Sequence, residues 1–326
     1  MRYSAWHACT PRCTACIHEC DDGMTAALPA KAISGTAFAT LLLIALMMGA
    51  NHVAARIAFN NGVDVATAVV FRSTVTALVI VALLAVQGVR VRFTARHKKM
   101  LPVIGLLIGV QSLCLYSAVA RLPVALALLA FNTYPIWTAL WSWIVYKHPP
   151  ERQLLIAMPV ILVGLALALD VFGAASGLGA QGQWARIGAG VGFALAAAAT
   201  FGLALVITQH EAGGVDGRVR TATTMMLAGL VALTMVVSQG GFHLPQAPAG
   251  WGGLLALTFL YGTAFTIMFT VLPRLGVVGN SAIMNVEPVF ALVLAWLILG
   301  QAIATIQVVG ALIVVVAVMV LGTRKR

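Results

Sequence analysis

Charge is what this chain has least of. Its 326 residues hold 9 Asp and Glu and 20 Lys and Arg, and charged residues make up 9% of the sequence. An ordinary soluble protein carries roughly 25%. Hydrophobic residues make up 61%, and the mean hydropathy is +0.99. So few charges cannot cover a surface that faces water, so the solvent is lipid. Catalytic signatures are missing too. No phosphate-binding loop, H-E-x-x-H or nucleophile elbow occurs, so nothing supports ATP hydrolysis or hydrolytic catalysis, and no cofactor is expected. Cysteine is scarce within the apolar part of the chain, where Cys114 stands alone as a small packing residue.

What is present is a series of long apolar runs. Ten candidate spans lie near 35–55, 65–87, 101–120, 124–146, 153–172, 187–208, 221–238, 252–273, 278–299 and 304–322. Each approaches the roughly 20 residues that cross about 30 Å of hydrocarbon as a helix. The runs are continuously apolar and rich in Leu and Ala, without the alternation a transmembrane β-strand needs, so a barrel is excluded. The loops between them are short. The longest, 173–184 and 239–250, are rich in Gly, Pro and Gln and too small for a soluble domain.

The basic residues give an orientation. With the N-terminus in the cytoplasm, 16 of the 20 Lys and Arg fall on the cytoplasmic side, and only Arg56, Arg121 and Arg186 fall opposite. Arg72 lies inside the second span. The expectation is therefore N-in and C-in. The net charge of +11 follows from that topology, with basic loops facing anionic lipid, and no nucleic-acid partner is expected.

The runs are related to one another. Arg121, Leu122, Val124, Asn132, Pro135 and Trp143 return 153 positions later as Arg274, Leu275, Val277, Asn285, Pro288 and Trp296, and Gly109 and Gly262 share that offset. Gly62-Val63-Asp64 returns as Gly214-Val215-Asp216 at 152. Five spans per copy is odd, so the second copy enters the membrane from the opposite side. The expected fold is an all-α membrane protein of ten transmembrane helices in two inverted five-helix repeats, the signature of a transporter. The repeats are placed at 34–172 and 187–323, joined by a linker at 173–186, with a basic tail at 324–326. Two small-residue pairs, Gly105-x3-Gly109 and Gly188-x3-Gly192, are read as close helix contacts.

Residues 1–33 resemble neither a span nor a core. Cys9, Cys13, Cys16 and Cys20, with His7 and His18, open a metal-binding reading. The reading adopted is a disordered cytoplasmic tail without metal, upstream of a conventional start at Met24. Disulfides are not expected on a reducing side of the membrane. The run His18-Glu19-Cys20-Asp21-Asp22 lacks the basic lead of a secretory signal.

Polar groups inside spans are the candidate site. An ionised side chain at the centre of a span costs roughly 2.5–3.5 kcal/mol on insertion scales. Glu287 is the one carboxylate deep in a span; Asp170 lies near a span end, close to water. Glu287 stands beside Asn285 and before Pro288, which lacks an N–H and frees a backbone acceptor nearby. Pro135 stands in the same relation to Asn132 and Tyr134. Both prolines are read as helix kinks. Glu287 either holds a solute or a proton, or pairs with a basic neighbour. Arg72 snorkels, serves a structural role, or binds a carboxylated solute. Asn51, His52 and Arg56 lie along the first span, with His52 and Arg56 on one face. Tyr116, Trp137, Trp141, Tyr261 and Asn280 offer aromatic and amide surface to a solute, with some of the aromatics serving instead as interface anchors. The substrate-binding set is thus Glu287, Asn285, Asn132, Asn51, His52, Tyr116, Trp137, Tyr261 and Arg72.

These residues carry a family resemblance. Phe71-Arg72 at the second span, the stretch 121–148, and above all Asn285-Val-Glu-Pro-Val-Phe-Ala-Leu-Val-Leu-Ala-Trp-Leu-Ile-Leu-Gly300, with Gln307-Val-Val-Gly310 after it, resemble the EamA type of the drug/metabolite transporter superfamily over residues 35–322. The resemblance implies ten helices in inverted repeats around a central cavity and export of small metabolites without ATP. The chain departs from the pattern where the family has Leu-Gly-Glu at the ends of the fourth and ninth helices: those acidic positions hold His148 and Gln301. The functional expectation is a multi-pass inner-membrane secondary transporter, not an enzyme, that exports small polar solutes such as amino acids by alternating access. A proton or solute gradient drives it, membrane lipid surrounds it, and it acts as a monomer or homodimer. A lipid-precursor or nucleotide-sugar carrier is the rival within transport, and a membrane-embedded enzyme the rival outside it.

Overall fold

The computed structural model describes residues 35–89, 93–149, 152–270, 286–301 and 304–323. The cysteine-bearing tail, Arg274, Asn280, Asn285 and the C-terminal basic residues lie outside them, and with them the metal reading of the tail. All regular structure among the described residues is helical: α1 (Gly35–Asn60), α2 (Val65–Val86), α3 (Ala95–Arg121), α4 (Val124–Phe131), α5 (Tyr134–Tyr146), α6 (Arg152–Ala168), α7 (Gly179–Glu211), α8 (Gly217–Ser238), α9 (Pro248–Thr270), α10 (Glu287–Leu299) and α11 (Thr305–Thr323). With α4 and α5 taken together, seven are long and apolar enough to cross a membrane. Leu155–Ala168, Glu287–Leu299 and Thr305–Val320 are shorter apolar helices.

Local chemistry sets several boundaries. The repeated Gly-Val-Asp is a turn followed by a helix cap. Gly62 and Gly214 take φ of +92° and +81°, a region open to glycine. Two residues on, Asp64 accepts from the backbone N–H of Ala66 at 3.0 Å and caps α2, and Asp216 accepts from that of Arg218 at 2.8 Å and caps α8. The carboxyl of Asp216 lies below the usual range, held there chiefly by its hydrogen bond from the Arg218 side chain. The run 124–146 is not one helix. Pro135 has no N–H for the carbonyl of Phe131, α4 closes at that residue, and the chain turns through Asn132 and Thr133 before Pro135 enters the first turn of α5. Pro288 likewise occupies the first turn of α10. Lys147 and Gly300, 153 apart, both end their helices in the left-handed region, at φ 59° and 63°.

Packing pairs helices of the first half with helices of the second. Ser73 and Thr74 approach Gly229, Ala77 clusters with Met225, and Ile80 and Leu84 cluster with Ala222 and Val219, so α2 and α8 run antiparallel. Likewise α6 and α11 are antiparallel, with Gly164 against Gly310, Ile313 and Val314, and Gly310 against Gly164 and Ala168. Further extensive contacts join α1 to α9 and α10, α3 to α7 and α8, and α5 to α7. The largest apolar cluster draws on α3, α4, α6, α7, α10 and α11. Leu, Val and Trp side chains on the outer faces, Trp143 and Trp296 among them, are exposed, as lipid contact requires.

Small residues let these backbones approach. Gly105 and Gly109 face Leu227, Ala228 and Val231 of α8. Gly188 and Gly192 do not meet another helix. Gly190, on a different face of α7, meets Leu122, and Gly202 meets Thr138 and Trp137. The i, i+4 spacing identified a face of α7 but not the face that packs.

A Cβ on Gly310 would strike the backbone N of Ala168 and the carbonyl of Gly164, atoms that cannot swing aside. Gly310→Val is expected to destabilise the detergent-solubilised protein by about 1–3 kcal/mol. Gly192→Ala enters open space and should leave the melting temperature unchanged or slightly raised. Equal melting of the two variants in a thermal-shift assay would contradict the α6–α11 contact.

Candidate functional site

A chain of polar side chains runs through the apolar packing. From α1 come Asn51 and His52; from α2, Arg72, Ser73 and Thr76; from α3, Ser112 and Tyr116, one turn apart on one face. Tyr261 of α9 and Glu287 at the start of α10 complete it. His52 Nε2 lies 3.3 Å from Glu287 Oε1. The Tyr116 hydroxyl donates to Asn51 Oδ1 at 3.0 Å. Arg72 donates through Nη2 to Ser112 Oγ at 2.6 Å and through Nη1 to the Tyr116 oxygen at 3.3 Å. Its guanidinium carbon lies 4.5 Å from the ring centre of Tyr116 and 4.0 Å from that of Tyr261. The His52 and Tyr116 rings are 5.5 Å apart.

Arg72 is 3% exposed, so it does not snorkel. Two aromatic faces and two hydroxyl acceptors replace its water, the arrangement that makes a buried guanidinium tolerable. Glu287 is 22% exposed at its side chain, the most open member of the network. Around these two charges, Asn51 Nδ2, His52 Nδ1, Arg72 Nε, Ser73 Oγ and Thr76 Oγ1 are buried and have no hydrogen-bond partner among the described residues. A native interior leaves few such groups, and those it leaves mark function. With His52 neutral, Arg72 and Glu287 balance. A second positive charge about 4 Å from a first costs about 4 kcal/mol at an effective dielectric of 20, so this site holds one extra cation beside Glu287 far more readily than two.

Six residues singled out in the sequence, Asn51, His52, Arg72, Tyr116, Tyr261 and Glu287, meet here. Asn132 and Trp137 sit at the α4–α5 break, and neither hydrogen bonds to nor stacks on the network among the described residues; the Trp137 Cβ packs on Gly202 of α7. Trp141 Nε1 donates to the Ala199 carbonyl at 3.0 Å, a packing role. Asn285 lies outside the described residues. Sequence reasoning missed Ser112, Ser73 and Thr76, whose hydroxyls look unremarkable until Arg72 is placed among them. Arg56 donates to the Val119 carbonyl at 2.6 Å and caps the end of α3.

Two further features stand apart from these contacts. At the ends of α3, α5 and α7, Glu211 accepts from Arg96 and from the Tyr146 hydroxyl, the latter at 2.9 Å; His210 stacks on Tyr146 at 3.9 Å, and His148 lies 5.5 Å from His210. Beside Pro288, a small recess opens among α4, α10 and α11, lined by Leu126, Leu129, Val289, Leu292, Val308 and Leu312 among others. Its lining is apolar except for Gln307. Gln301 turns inward and accepts from the first N–H of α4, at Val124, at 3.2 Å.

Residues 35–169 and 188–323 each match the model of the EamA-like transporter family. The chain belongs to that family. It is 23% identical over 71% of its length to the threonine/homoserine exporter RhtA of Salmonella typhimurium, of which it covers 73%. It is 24% identical over 68% of its length to an uncharacterized transporter, sll1319, of Synechocystis sp., covering 65% of that protein. One solved crystal structure superposes with a TM-score of 0.57 at 18% identity, over 87% of this chain and 96% of that one, which shows the fold. This EamA chain is thus a multi-pass membrane protein of a transporter family, and its polar network sits on helices from both matched segments.

Removing the Ser112 hydroxyl would strand a buried guanidinium N–H. Ser112→Ala is expected to destabilise the protein by about 1–3 kcal/mol. Thermal unfolding in detergent checks this, and an unchanged midpoint would show that Ser112 does not hold Arg72.

Proposed function

We propose that this protein is a secondary transporter that exports small polar metabolites, amino acids among them, across the inner membrane by alternating access. The observation that carries this is the buried network itself. Glu287, His52 and Arg72 are brought together by helices of both repeats, inside a protein with almost no other charge in its apolar interior. A membrane-buried ionisable group marks a solute or ion pathway. The relatives support the class of solute, since RhtA is named for exporting threonine and homoserine. The antiparallel pairing of α2 with α8 and of α6 with α11 supports two inverted five-span repeats, and the basic residues support N-in and C-in.

In this reading Glu287 meets the solute ammonium group, and Asn51, His52 and Tyr116 line the same chamber, with Arg72 completing its charge balance. Asn132 and Trp137 belong to the helix break before and after Pro135, which lets the chamber change shape, and Asn285 stays in the proposed solute-binding set. The Arg96–Glu211–Tyr146 cluster ties α3 and α5 to α7, and it parts when that end opens. A lipid-precursor carrier is the second reading. It draws on the apolar recess beside Pro288, as a surface against which a lipid tail would lie. The match to a transporter family favours transport over a membrane-embedded enzyme.

Glu287→Gln keeps the shape and removes the charge. It should leave protein in the membrane with solute efflux reduced at least tenfold, equivalent to about 1.4 kcal/mol or more. The check is efflux of labelled threonine and homoserine from cells expressing either form. Undiminished efflux by the variant would make Glu287 structural. Glu211→Gln should weaken closure at its end of the protein and raise labelling of a cysteine introduced at Thr138; unchanged labelling would remove Glu211 from gating.

A further inference from the structure

We propose that His52 and Glu287 form a coupling pair in which a proton on His52 and the amine of the solute compete for one carboxylate; this rests on the transport reading above. His52 is buried and Glu287 partly exposed, with His52 Nε2 3.3 Å from Glu287 Oε1. Neutral His52 donates through Nε2, and its Nδ1 is left as a buried lone pair without a hydrogen-bond partner among the described residues. Protonation puts an N–H at Nδ1. That proton finds no acceptor there among the described residues, so among them the imidazolium is held by the Glu287 carboxylate. When an ammonium group takes the carboxylate, the imidazolium loses its counter-charge and gives up its proton.

Other charges around the pair reinforce this. On α1 itself stand Asn51 and, one turn on, Arg56, whose charge is spent on the Val119 and Leu122 carbonyls. From α2 comes Arg72, a fixed cation held by Ser112 and Tyr116. From α3, α5 and α9 come Tyr116, Tyr134 and Tyr261, which bring phenols and neither carboxylate nor amine. Of these, Tyr134 and Tyr261 lie within the field of Glu287. Helix α4 carries no ionisable side chain. His52 is therefore the group in this chamber that, standing 3.3 Å from Glu287, can carry either one ring proton or two. One cation enters as one proton leaves, and the chamber keeps its net charge. Arg72 gives one N–H from each terminal nitrogen to a hydroxyl and lies over two tyrosine rings, and the proposal concerns the carboxylate of Glu287, whose partner would be the amine.

The test is linkage in purified protein. Threoninamide, an amine without a carboxylate, is titrated into lightly buffered wild-type protein in detergent, with a pH indicator reading proton release and calorimetry reading binding. Up to one proton should leave per molecule bound, and Kd should weaken as pH falls in the range where protons are released. N-acetylthreonine, with its carboxylate and no amine, should release none. In His52→Gln, Kd should be independent of pH from about 5 to 7, whatever its absolute value. Binding without proton release in the wild type overturns the proposal. So does a pH slope that survives in His52→Gln, proton release by N-acetylthreonine, or failure of threoninamide to bind at millimolar concentration. Because binding is read without flux, proton release without efflux from cells would defeat the transport reading and leave the pair standing. Efflux without proton release would do the reverse.

Discussion

The interior of this protein must neutralise its own charges, because lipid will not. That constraint organises the centre of the fold. Arg72 is acceptable in an apolar bundle because two tyrosine rings cover its faces and two hydroxyls take its N–H groups. Glu287 is acceptable because His52 stands against it. Each solution needs side chains from helices distant in sequence, so the charges also hold the two halves in register. A hydrophobic replacement would pack more easily. What it would lose is a place where a polar solute finds partners inside the membrane.

The two halves are alike in frame and unlike in chemistry. Both repeat the glycine turn and aspartate cap before their second helix, and both end the helix that opens on a proline in a left-handed residue. Yet the halves differ at the ends of their helices. Glu211 anchors Arg96 and Tyr146, while the residue 152 positions earlier is Phe59 and the residue 153 after Tyr146 is Leu299. Phe59 and Leu299 both pack against the main apolar cluster. One end of the bundle thus carries the Arg96–Glu211–Tyr146 contacts, while at the other Phe59 and Leu299 pack alongside the hydrogen bonds of Arg56 and Gln301.

Much of this was legible from residue order. Run length and composition fall directly out of the requirement that a helix in lipid be apolar for about 20 residues, and the 153-residue register exposed the duplication. Six of the nine residues picked for the site meet in one network because ionisable and amide groups in apolar runs are costly and therefore conspicuous. The misses have a common cause. Ser112, Ser73 and Thr76 are cheap to place in a helix, so nothing in their occurrence marks them. Likewise Gly188 and Gly192 carry the same spacing as Gly105 and Gly109 but point away from any neighbour.

Sequence by itself determined the apolar spans, the repeat, the turn-and-cap at each second helix and the break before Pro135, because each depends on local backbone chemistry or on transfer into lipid. Tertiary structure alone decided which polar groups touch. His52 faces Glu287, and Arg72 lies between Tyr116 and Tyr261, only because α1, α2, α3, α9 and α10 converge. The rotation of each helix about its own axis is set by packing against its neighbours, which a periodicity in a nearly uniform apolar run cannot encode.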